Sequence, residues 1–108
     1  MTEKQKRNLI VKLVADEFGI RVKDIMGRDR HVPLPEARQM AMVIVRLHVG
    51  LTLEGTGRLF SRDHGTVLHA ERVLRQRLTY CKQTKAHWAA VQHLAARPAL
   101  KGAPEFQI

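Results

Sequence analysis

Nine consecutive residues, Arg62-Asp63-His64-Gly65-Thr66-Val67-Leu68-His69-Ala70, hold the densest recognition chemistry in the chain. Arg62 donates hydrogen bonds, Asp63 accepts them, His64 and His69 can do either, and Thr66 adds a hydroxyl and a methyl. These polar groups run straight into the apolar period of a helix marked by Val67, Leu68, Ala70, Leu74, Leu78 and Cys81. A helix start of this make-up suits a DNA major groove, whose base edges offer donors, acceptors and the thymine methyl. The stretch therefore reads as a recognition helix with Asp63 as its N-cap.

Charge supports a polyanionic partner. Nineteen Lys and Arg face ten Asp and Glu, for a net charge of +9. An excess of that size favours nucleic acid ahead of membrane. No apolar run approaches the ~20 residues a membrane span needs. The single cysteine, Cys81, excludes an intrachain disulfide and fits a reducing, cytoplasmic setting; its helical spacing from Leu74 and Leu78 predicts a small core residue. His64 and His69 are five apart, and His87 and His93 six apart, which is not the four-residue step of a zinc-binding helix. No metal, no other cofactor and no catalytic constellation is expected.

The elements that must position the recognition stretch follow from helical period and punctuation. A first helix is capped by Thr2, carries Leu9, Ile10, Leu13, Val14 and Phe18, and ends at Gly19. Residues 20–27 read as an extended link and one helical turn, with Ile20, Val22, Ile25 and Met26 as a lid on the core. The loop from Arg28 to Leu34 is basic and aperiodic, and its arginines are suited to a minor groove. A central helix opens near Pro35 and stops at Gly50, with Ala37, Met40, Ala41, Ile44, Val45 and Leu47 as its apolar stripe. Arg38 and Arg46 share a face of it, suited either to a phosphate backbone or to ion pairs with Glu36, Glu54 or Glu71. Thr52 caps a short helix to Phe60, Ser61-Arg62 turn, and the recognition helix follows. Short helix, tight turn and longer helix make a helix-turn-helix over about residues 52–81. Thr84 is expected to cap a last helix from Lys85 to Ala96, with Trp88 packed on the core. The fold class is thus all-α, one domain over residues 1–96, followed by a frayed tail over 97–108.

The stretch Arg62 to Ala70 resembles the signature of the C-terminal DNA-binding domain of the bacterial replication initiator DnaA, which typically reads Gly-Gly-Arg-Asp-His-Thr-Thr-Val-Leu-His-Ala. Upstream, Ala37-Arg38-Gln39-Met40-Ala41-Met42 resembles the same domain's Ala-Arg-Gln-x-Ala-Met segment. The resemblance covers about residues 5–80. It implies binding to short duplex sites called DnaA boxes. By position it implies major-groove base and phosphate contacts for Arg62, Asp63, His64, Thr66 and His69, with Gly65 at a base-reading position. It also implies a minor-groove role for Arg30 and phosphate contacts for Arg38 and Arg46.

Three departures from the pattern bear on specificity. Gly65 replaces a Thr or Ser, Ser61 stands alone where the family has Gly-Gly, and Glu54 occupies a position where Pro is frequent. A phosphate-binding Gly-x-x-x-x-Gly-Lys-Ser/Thr loop is absent, so no nucleotide partner is expected. The expectation is a stand-alone, non-enzymatic protein that binds double-stranded DNA at DnaA-box-like sites, in replication control or transcription regulation. It is expected to be bacterial or phage-encoded and nucleoid-associated. The alternative is a protein-interaction module that keeps the fold without base reading, docking through Trp88 and the last helix.

Overall fold

The computed structural model describes residues 1–28 and 34–95. Arg30 and the tail expected over 97–108 lie outside the described residues. Six helices follow in order: α1 (Glu3–Phe18), α2 (Val22–Met26), α3 (Leu34–Val49), α4 (Leu53–Phe60), α5 (His64–Tyr80) and α6 (Lys82–Ala95). The all-α class expected from the helical periods is the architecture found.

The chain wraps around α3, which packs against each of the other five helices. Its apolar residues explain this. Ala37, Met40, Ala41, Val43, Ile44 and Val45 are wholly buried, and Met42 almost so. A helix apolar on most of its circumference is stable in water only as the centre of a bundle. Ile10, Val11, Val14 and Ala15 of α1 cover one side, and Val67, Ala70 and Leu74 of α5 another; Val91 and Ala95 of α6 belong to the same core.

Local signals set the helix ends. Thr2 Oγ1 accepts from the Gln5 N–H at 3.1 Å while the Thr2 N–H donates to Gln5 Oε1 at 2.8 Å, a reciprocal cap. Gly19 ends α1 in the left-handed region at φ 68°. The five-residue α2 is too short to stand alone. Arg38 holds it from α3: its Nε donates to the Ile25 carbonyl and its Nη2 to the Asp24 carbonyl, both at 2.9 Å. Ile25 is buried beneath α2, but Val22, expected in the lid, is 37% exposed.

The α5–α6 corner differs from expectation in two respects. Helix α6 begins at Lys82, three residues before the expected start, and Thr84 sits wholly buried inside it. The Thr84 hydroxyl donates to Glu36 Oε1 at 2.7 Å, and Arg77 reaches both Glu36 Oε2 and Thr84 Oγ1 at 3.3 Å. This polar knot ties α3, α5 and α6 together, so the threonine serves packing between helices instead of a cap. Cys81, expected in the core, is the half-buried residue of the corner itself. Trp88 packs against the core as expected.

The turn of the helix-turn-helix is made by one left-handed residue. Ser61 has φ 54° and ψ 43°, and the Arg62 N–H returns to the Gly57 carbonyl at 2.9 Å. Any L-residue with a Cβ is strained there, and glycine is not. Ser61→Gly is therefore expected to stabilise the fold by about 0.5–1 kcal/mol, read as a rise of a few degrees in thermal unfolding. An unchanged or lower midpoint would contradict the strain.

Candidate nucleic-acid interface

Helix α5 starts on a capped first turn. Asp63, in extended conformation, accepts from the Thr66 N–H at 2.8 Å and from the Thr66 hydroxyl at 3.0 Å. The Thr66 N–H, and next its hydroxyl, hold the Asp63 carboxyl below the usual carboxylate range. A depressed carboxylate pKa means that the cap is complete above the unfolded value of ~3.9 and is lost as pH falls through the lower folded one. At neutral pH the Asp63 cap is therefore in its ionised, accepting form. Because Thr66 donates its hydroxyl proton to Asp63, its oxygen keeps only acceptor capacity.

His64, Gly65 and His69 are exposed on this turn and the next, and Thr66 is half-buried. Gly65 and His69 are four apart and Thr66 and His69 three apart, so these three share a face of α5, and His64 opens the helix. Gly65 is not required by the backbone. A Cβ built there would lie 3.4 Å from Asp63 Oδ1, an ordinary contact. Gly65→Thr is thus expected to fold normally and to sharpen reading at one base pair, by roughly tenfold in discrimination. Affinities for a bound site and its single-base-pair variants check this; identical discrimination profiles would place position 65 outside the reading surface.

Arg62 has an additional task. Its Nη2 donates to the Gly27 carbonyl at 2.6 Å and its Nη1 to the Phe60 carbonyl at 3.1 Å. One guanidinium thereby joins the end of α2 to the turn before α5. Beside it runs a groove of about 560 Å³ lined by Arg28, Arg38, Gln39 and Met42 on one side and Arg62, Thr66 and His69 on the other. Three arginines thus line one groove next to the start of α5.

The two arginines read as phosphate contacts both have partners inside the protein. Arg38 is 9% exposed and carries the carbonyls of α2, while lining the groove. Arg46 pairs with Glu71 of α5, which is 8% exposed. Glu71 was one of three acids open as partners in the sequence, and the fold selects it. That pair sets α5 against α3. Arg7, to which the sequence reading gives no role, donates Nη1 to the Leu59 carbonyl at 2.7 Å and so fastens α1 to the end of α4. Its place in the sequence gives no sign of this, because the partner is 52 residues away. Arg28, from the basic loop, and Gln39, which carries no role in the sequence reading, also line the groove. Among the described residues, no three His, Cys, Asp or Glu side chains are grouped to hold a metal ion, and no helix is long and apolar enough to cross a membrane.

A buried central helix, a tight turn and an exposed polar helix start define a helix-turn-helix DNA-binding domain. Residues 8–73 match the family model described as the bacterial dnaA protein helix-turn-helix, and the chain belongs to that family. It is similar to the chromosomal replication initiator protein DnaA of Picosynechococcus sp., 34% identical over 73 residues, which is 67% of this chain and 16% of that protein. It is likewise similar to chromosomal replication initiator protein DnaA 2 of Protochlamydia amoebophila, 38% identical over 71 residues, covering 64% of this chain and 15% of that one. The DnaA of Crocosphaera subtropica is 36% identical over 63 residues, 57% of this chain and 14% of the relative. The chain thus spans about one sixth of the length of these relatives.

Proposed function

We propose that the chain reads a DnaA-box-like duplex sequence through the first two turns of α5. The observation that carries this reading is the Asp63-capped start of α5, with His64, Gly65 and His69 exposed and Thr66 half-buried, beside a groove lined by Arg28, Arg38 and Arg62. His64 and Thr66 face base edges, Gly65 leaves space at a third position, and His69 and the groove receive the phosphate backbone. Asp63 acts from below as the cap and offers its remaining acceptor capacity to the bases. Arg62 orients the turn and adds its charge. Arg30 enters the adjacent minor groove. Arg46 reaches a phosphate only by sharing its charge with Glu71, so its main part is to set the angle of α5.

No catalytic step belongs to this role. Occupying such sites supports control of replication initiation or of transcription, within a bacterial or phage-encoded system. Titration of labelled duplexes with a box-like and a scrambled sequence tests the reading. The box-like duplex is expected to bind about a thousandfold or more tightly at physiological salt, and His64→Ala to erase most of that difference. Equal affinity for both duplexes at every salt concentration would refute it.

A further inference from the structure

Positive charge is unevenly distributed along the sequence. Residues 1–71 hold twelve basic against nine acidic side chains, whereas residues 72–104 hold seven basic and no acidic one. The family match ends at residue 73. Most of the net charge therefore lies beyond the segment shared with the family.

Within the described residues, this part of the chain is the second half of α5 and all of α6. Arg72, Arg75, Lys82 and Lys85 are all exposed there. Arg72 and Arg75 are three apart on α5, and Lys82 and Lys85 three apart on α6, so each pair shares a face. Between the pairs, at the corner, Tyr80 is 65% exposed. Among the described residues, Glu71 pairs with Arg46, Glu36 with Arg77 and Thr84, and Glu17 with His87. The first turn of α6 carries Lys82 and Lys85 and no acidic residue. Cations at that end oppose the helix dipole, so local helix stability does not account for their placement. Tyr80 lies about 24 Å along the axis from His64, twice the ~12 Å width of a major groove. The corner is thus out of reach of the groove that α5 enters with its first turn.

We infer that the α5–α6 corner, with Arg75, Lys82 and Lys85, is a second, sequence-independent contact for a phosphodiester backbone outside the base-reading site. The inference rests on the DNA-binding reading above. The backbone comes either from the flanks of the same duplex or from a second duplex.

The test compares wild type with the triple variant Arg75→Gln, Lys82→Gln, Lys85→Gln. All three side chains are exposed, and glutamine keeps helix propensity. Binding is followed as a function of salt on a duplex that ends at the site and on one extended by about two helical turns on each side. For flanking contacts, wild type binds the longer duplex with the steeper salt dependence. The variant then loses two to three units of the log–log slope, at ~0.9 per phosphate, and roughly tenfold in affinity at low salt. Its preference for the site over a scrambled duplex persists. For a second duplex, length has no effect, but wild type holds two short duplexes together and the variant does not.

A variant with wild-type slopes on both duplexes and wild-type bridging overturns the inference. So does a variant that loses only its binding to vesicles of anionic lipid, which would assign the corner to a membrane surface. If wild type shows no sequence preference yet the variant still loses slope, the base-reading proposal fails and the corner contact stands. The variant Lys82→Glu, Lys85→Glu checks the sign: it should lower affinity further than the neutral change, and equal affinity counts against the inference.

Discussion

Gly57→Ala is expected to lower the unfolding midpoint by roughly ten degrees and to abolish sequence-specific DNA binding. A Cβ at position 57 would stand 2.4 Å from the Arg62 carbonyl oxygen and 3.2 Å from the Asp63 carbonyl carbon. Both neighbours are backbone atoms of the turn, so no side chain can swing aside. The same glycine's own carbonyl receives the Arg62 N–H that closes the turn. Relieving the clash moves Asp63 away and with it the cap of α5. Overpacking of this kind costs about 1–3 kcal/mol, and a domain of this size loses ~4–8 °C per kcal/mol. The propensity gain of alanine over glycine in a helix, up to ~1 kcal/mol, works in the opposite direction and is the smaller effect. Gly65→Ala is the control. Its Cβ meets only Asp63 Oδ1 at 3.4 Å, so the midpoint should hold or rise. Equal midpoints for the two variants would show that the turn yields freely.

Arg38→Met is expected to destabilise the fold by about 2–4 kcal/mol before any DNA is added. Methionine preserves the aliphatic stem but removes the donors to the Asp24 and Ile25 carbonyls. Those carbonyls belong to a five-residue helix whose other end is held by the Asp24 side chain: its Oδ2 accepts from the Arg21 N–H at 3.0 Å. With its C-terminal end released, α2 has little to hold it, and the Gly27 carbonyl that anchors Arg62 is released with it. The damage thus travels from α3 through α2 to the turn of the helix-turn-helix. Arg38→Lys should rescue little, because one ammonium cannot reproduce a planar fork aimed at two carbonyls. Chemical denaturation of the free protein measures both variants. If Arg38 acted on phosphate alone, the free protein would keep its full stability and only DNA affinity would fall.

These two residues show what was legible in the sequence. Helical period and end signals predicted α1, α3, α4 and α5 nearly to the residue, because Thr2, Gly19, Gly50, Thr52 and Asp63 act on their own neighbours in the chain. The close approach at Gly57 was partly legible: two glycines in so short a helix mark a place where something comes near. What comes near is the chain itself. The start of α6 was misplaced because Thr84 has the chemistry of a cap. Its use was decided by Glu36, 48 residues away. Arg38, Arg46 and Arg7 carry the same lesson for charge. The sequence shows a guanidinium, and only the packing shows whether a carbonyl, a carboxylate or solvent meets it. The residues at the α5 start were readable because they are exposed and local.

Selection of bound sequences from a random duplex pool tests the central claim most directly. The account predicts enrichment of one short site related to a DnaA box, relaxed at the base pair facing Gly65, with enrichment lost in His64→Ala. A pool that stays random after repeated rounds, while the protein still binds duplex DNA, would contradict it.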